Sequence, residues 1–132
     1  MDQIPATVSF ASRSDRLFAQ ALDGIVGWAP MGIAAFVANR SVGSGGVLLA
    51  IAFCWAVFYY LFADGFRDGQ SLGKRRLGMR VVDARTGNPC TFLQSCIRNA
   101  FVVLGPIDYI FIFGEQHQRL GDKAAGTVVL YD

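Results

Sequence analysis

The chain has 132 residues and a formal net charge of +2, and 53% of its residues are hydrophobic against 17% charged. With a mean hydropathy of +0.38 it is too apolar for an ordinary small soluble domain, where charged residues make up about 25%. It is long enough for one domain, and its apolar residues come in blocks, which points to membrane spans.

Residues 1–15 read as a short polar lead. No cleavable signal peptide is evident, because the apolar block starts only at Leu17 and is too long for an h-region. Ser12, or Ser14 with Asp15, supplies a helix cap. The first span covers about residues 17–38 and carries one charge, Asp23, about 10 Å in at the rise of a helix. An ionised Asp near the bilayer centre costs about 2.5–3.5 kcal/mol, so it needs a partner or a purpose. Arg16, Gln20 and Asp23 follow i, i+4, i+7 spacing and share one helix face, a polar stripe that should face protein. Pro30 should kink or break this helix, and Gly24, Gly27 and Gly32 offer places for another helix to approach. Asn39 to Gly46 is a turn by composition.

Residues 47–63 form the strongest span, with no charge and with Tyr59 and Tyr60 placed as in an interfacial aromatic belt. The short link between the spans predicts an antiparallel hairpin. The following segment is basic and punctuated by glycine; six of the twelve Lys and Arg residues lie between Arg67 and Arg85. Arg80 to Asp83 reads as a strand, Ala84 to Pro89 as a turn, and Thr91 with Gln94 as a capping box. The third apolar segment, about residues 92–113, starts as an amphipathic helix and is interrupted by Gly105-Pro106 and Asp108. It is short for a crossing, so a partly inserted segment and a third span both stay open. Thr127 to Tyr131 has strand propensity.

Charge counting sets the orientation. With an inside N-terminus and two crossings, Arg40 is the one basic residue left outside. Pairing of the two short strands also requires both on one side, since neither is stable alone. The expectation is an all-α membrane protein: a transmembrane helical hairpin, a partly inserted or third membrane segment, and a short cytoplasmic β pairing, within one membrane domain over residues 16–131. Both termini are placed on the cytoplasmic face of the inner membrane.

The functional motifs are few. Gly69 to Gly78 fails the phosphate-loop pattern, since Asp68 stands where a glycine is required and Arg75 follows Lys74. Lys74, Arg75, Arg76 and Arg80 read instead as a basic patch on anionic lipid head groups, each cation worth about 1 kcal/mol. Nucleic-acid binding has only this run in its favour. Asp23 reads either as an ion or proton site or as a structural tie to Arg16, Arg98 or a backbone donor. Asp108, after the helix break, reads either as part of a transporter-like site or as a wet interfacial acid. His117 reads as a solvated loop residue, Trp28 and Trp55 as packing residues. Three cysteines without CxxC spacing argue against a disulfide scaffold. No enzyme, metal or cofactor is expected.

Taken in order, Arg16 and Asp23, then Gly69-Gln-Ser-Leu-Gly-Lys-Arg-Arg-Leu-Gly-Met-Arg-Val-Val-Asp83, then Gln118-Arg-Leu-Gly-Asp122-Lys-Ala-Ala-Gly-Thr-Val-Val129 resemble the RDD family of small integral membrane proteins, named for one arginine and two aspartates. On that resemblance Arg16 and Asp23 are the arginine and first aspartate, and Asp122, rather than Asp108, the second. The apolar stretch between Arg98 and Glu115 is shorter than the family's usual third span. The resemblance implies cation/proton exchange for some members and no assigned activity for many. The expectation is therefore ion or proton handling through an intramembrane Asp, in a homo-oligomer because two spans cannot easily enclose a path. The alternative is a non-catalytic assembly or partner-binding subunit in which the Arg and Asp residues are structural.

Overall fold

The computed structural model of the chain describes residues 9–40, 43–115 and 117–132. Residues 1–8 of the expected lead, and Ser41 and Val42 of the expected turn, lie outside the described residues. Helix α1 spans Arg13–Ala38, begun by Ser12, whose hydroxyl accepts the Asp15 N–H at 3.1 Å. Helix α2 spans Gly45–Phe62 and runs into a 3₁₀ turn at Ala63–Gly65. Helix α1, Arg13–Ala38, and the stretch Gly45–Gly65 are each long and apolar enough to cross a membrane, and they pack as the expected hairpin. The helices approach at small residues: Gly27 on α1 lies against Tyr59 and Gly45 on α2 against Ala38, and Ala34 on α1 and Ala52 and Ala56 on α2 are buried. Small residues let two backbones approach where lipid gives no hydrophobic drive. Large apolar residues such as Phe18, Ile25, Ile33, Ile51 and Phe53 stay exposed, as lipid-facing side chains do.

Two expectations for this hairpin change. Helix α1 continues through Pro30 without a break; the proline removes one bond from the ladder, and the turns on either side carry the helix past it. Of the three glycines, only Gly27 meets the partner helix, where a Cβ would stand 3.5 Å from the Tyr59 ring, while Gly24 and Gly32 face open space. Trp28 and Trp55 are about half exposed, at 52% and 44%, and Trp55 packs its ring on Tyr59 with centroids 5.9 Å apart.

The segments after α2 build a polar cap at one end of the hairpin. Helix α3, Leu72–Arg76, starts at Ser71, and strand β1, Met79–Asp83, pairs antiparallel with β2, Thr127–Tyr131, in the register Val81↔Val129. Alternation in the strands makes two apolar faces. Met79, Val81 and Val129 pack on Ala11, Ala19 and Cys90, while Val82, Val128 and Leu130 cluster on the other side with Phe10. The end of the polar lead is thus part of the fold: Phe10 bridges to Leu130, and the Ala11 N–H bonds the Val129 carbonyl at 3.0 Å.

Helix α4, Phe92–Ala100, opens with the expected Thr91–Gln94 capping box. Gly105 then takes φ +57°, a conformation glycine tolerates best, and Pro106 starts α5, Pro106–Ile110. The segments Phe92–Leu104 and Pro106–Phe113 are bent by 111°, so they do not form a straight span. Both ends of this excursion return to the sheet. Gln94 bonds Asp83 on β1 at 2.6 Å, and α6, Leu120–Ala125, leads directly into β2. The chain is a helical membrane protein with a small two-stranded sheet.

Candidate functional site

The helical elements of the cap, α3 to α6, and the first helix of the hairpin send charged side chains to one buried centre at the end of the hairpin. Arg16 from α1, Lys74 from α3, Arg98 from α4 and Arg119 ahead of α6 are the buried cations, and Asp64, Asp108 and Asp122 the buried acids among the described residues. Asp23, half-buried at the edge, brings the two signs into balance. Charges this buried persist only when paired and hydrogen-bonded.

Asp122 is the hub. It accepts Nε and Nη2 of Arg98 at 2.8 and 2.7 Å and Nη2 of Arg16. It also reaches back to the Arg119 backbone N–H at 3.1 Å, so the same carboxylate caps α6. Burial alone would raise this carboxyl, but the guanidiniums of Arg98, Arg16 and Arg119 outweigh burial and hold it well below the usual carboxylate range. Asp64 takes Nζ of Lys74 and Nη1 of Arg98 at 3.1 Å. Asp108 accepts the Gly121 N–H at 2.7 Å and faces Arg119 at 3.6 Å.

Asp23 stands apart from this chain of ion pairs. It accepts the Tyr59 hydroxyl at 3.1 Å, the Ser71 hydroxyl at 2.5 Å and the Gly73 N–H at 2.8 Å, and so ties α1 to α2 and α3. Gly73 is required there, because a Cβ would stand 2.1 Å from the Ala19 carbonyl oxygen.

Between the hairpin and the cap lies a cavity of about 40 Å³, lined among others by Asp23, Tyr59, Tyr60, Asp64, Lys74 and Arg119. Gln20 spans one wall, donating to the Tyr60 hydroxyl at 2.9 Å and accepting from Tyr109. The polar stripe of Arg16, Gln20 and Asp23 faces this cavity.

The placement departs from the sequence reading in specific ways. Arg16 forms no ion pair with Asp23; its guanidinium goes to Asp122 and the His117 carbonyl. Two helical turns separate Arg16 and Asp23, about 10 Å along the axis, beyond salt-bridge reach for their fixed headings. Lys74 is not in the surface patch but buried on Asp64, because the close seat of Gly73 on α1 draws α3 inward. Arg75 and Arg76 remain exposed, and Arg80 pairs with Asp132 at 3.3 Å. Asp108 is fully buried rather than wet, since the bend at Gly105 turns it onto α6. Tyr59 and Tyr60 line the cavity instead of a belt, and His117 is half-buried with φ +49°.

Sequence reasoning missed Asp64, Tyr59, Tyr60 and Arg119 as site residues. The signal for Asp64 was available: it is an acid ending an uninterrupted apolar run, a position that demands a partner.

No solved structure matches the chain. An uncharacterized protein of Haemophilus influenzae is 28% identical over 136 aligned residues, covering 97% of this chain and 82% of its own length. An uncharacterized protein of Rickettsia prowazekii is 38% identical over 54% of this chain, and a proline-rich antigen of Mycobacterium leprae is 32% identical over 72% of it. The chain matches only 42% and 41% of the lengths of those last two. The sequence model of the RDD family matches residues 10–126, a range that holds Arg16, Asp23, Asp122 and the whole charged centre, and the chain belongs to the RDD family.

Proposed function

We propose that the protein sits in the inner membrane with both termini on the cytoplasmic face, and that it exchanges a proton or cation at the cavity between the hairpin and its cap. The observation that carries this reading is the cavity itself, about 40 Å³ at the end of a membrane hairpin and lined by Asp23, Asp64 and Lys74. That is room for water beside groups that bind protons or cations. Two crossing helices do not enclose a path across a bilayer, so exchange requires a homo-oligomer or a membrane partner. No enzymatic role is proposed.

The test is proton flux in proteoliposomes of the purified protein under imposed gradients of monovalent cations, with Asp23→Asn beside it. The reading expects cation-dependent proton movement that falls in Asp23→Asn while the protein stays folded and abundant. A second reading has its own support: Asp23 takes three hydrogen bonds from two other elements, as a structural tie in a non-catalytic assembly subunit would. That reading expects Asp23→Asn to remove the protein from the membrane or split its oligomer. A variant that loses neither flux nor abundance contradicts both.

A further inference from the structure

We propose that Lys74 is the group that releases and takes up the proton at the cavity, an inference that rests on the exchange reading. Of the four buried cations around the centre, Arg16, Arg98 and Arg119 are arginines, which do not give up a proton in proteins. Lys74 is the one amine among them, and a buried lysine changes protonation state readily.

The other protonatable groups are committed. Asp23 accepts three donors, one of them the Tyr59 hydroxyl. Asp122 is held by Arg16 and Arg98, and Asp108 by the Gly121 N–H and Arg119.

The geometry around Lys74 suits release. Helix α3 is pinned by the bonds of Ser71 and Gly73 to Asp23, which brings the following residue to the cavity wall. The groups facing the ammonium from other elements are Asp64 at the end of α2, Arg98 on α4 and Asp23 on α1. Among the described residues Nζ bonds Asp64 alone, whereas Asp64 also has Arg98 at 3.1 Å and Asn99 at 3.4 Å. When Nζ gives its proton to water in the cavity it becomes a neutral amine, and Asp64 stays a carboxylate held by Arg98 and Asn99. The centre then lacks one positive charge, which a monovalent cation entering the cavity restores. Burial lowers the proton affinity of Lys74 to about 8, with Asp64 opposing the shift and Arg98 adding to it.

The chain has two lysines, Lys74 and Lys123, and Lys123 is exposed. A protein labelled with ¹⁵N at the lysine Nζ therefore shows two signals, and Lys74→Arg, which keeps the charge and removes the labile proton, assigns them. The expected result is a Lys74 signal that changes from ammonium to amine near pH 8, the value burial sets, and proton flux lost in folded Lys74→Arg. A Lys74 signal that stays an ammonium up to about pH 10, the range of a free lysine, overturns the proposal. So does Lys74→Arg with the flux of the natural protein. If the natural protein moves no proton while Lys74 titrates as expected, the exchange reading falls and Lys74 stands as the labile proton of the cavity.

Discussion

Asp122 holds more of the cap together than any other carboxylate, since α1, α4 and the start of α6 all donate to it. Asp122→Asn keeps its shape and removes its charge, leaving Arg16 and Arg98 buried beside an amide. A broken buried pair costs about 3–5 kcal/mol, so thermal unfolding in detergent should move down sharply, or the protein should fail to accumulate. The pH dependence has a fixed sign. The folded carboxyl binds its proton less tightly than the unfolded one, so the unfolded state holds more protons and stability falls as pH falls. The Asp122 contribution is complete above the ordinary carboxylate range and is lost as pH drops through the lower folded value. Melting midpoints of the natural protein should drop below about pH 4, and Asp122→Asn should lose this part of the acid response. Arg16 was legible in the sequence as a residue in need of a partner. Its partner lies 106 positions away, a pairing that only the packing of cap against hairpin reveals.

At the scale of elements, two glycines set how closely the cap seats. A Cβ on Gly73 would stand 2.1 Å from the Ala19 carbonyl oxygen, and one on Gly121 the same distance from that of Arg98. Both neighbours are backbone and cannot turn away. Gly73→Ala and Gly121→Ala should each cost about 1–3 kcal/mol by overpacking, read as a lower melting midpoint. Gly24→Ala and Gly32→Ala meet nothing within 4 Å and should be neutral or stabilising by about 0.5–1 kcal/mol, as a helical alanine is over glycine. Equal effects in the two pairs would contradict the packing described. The elements themselves were largely legible because their signals are local: the run from Val47, the Thr91–Gln94 box and the two alternating strands. Pro30 gives no break, because the turns on either side carry the helix past one lost bond, and of the hairpin glycines Gly27 alone lies against α2, because small size does not say which face meets that helix. The inward seat of Lys74 was not legible, since a basic run looks the same whether α3 lies on the lipid surface or is drawn in by Asp23.

For the molecule as a whole, the bend of 111° after α4 and the return of both its ends to the sheet support two crossings. In the proposed orientation a reporter fused after Tyr131 signals a cytoplasmic end, and one placed beside Arg40 signals the opposite face. A periplasmic signal from the Tyr131 fusion would require a third crossing. The cap then works as one body: strands, α3, α4 and α6 close beneath the hairpin, and the charged centre is the joint between them. Within that joint Arg16 belongs with Asp122 and not with Asp23, although Asp23 lies on the same face of the same helix. A double-mutant cycle measures this directly, from the unfolding free energies of Arg16→Gln, Asp122→Asn, Asp23→Asn and the two pairs. The expected result is a coupling of about 1 kcal/mol or more between Arg16 and Asp122, and additivity within about 0.5 kcal/mol between Arg16 and Asp23. Coupling of Arg16 to Asp23, with none to Asp122, would contradict it.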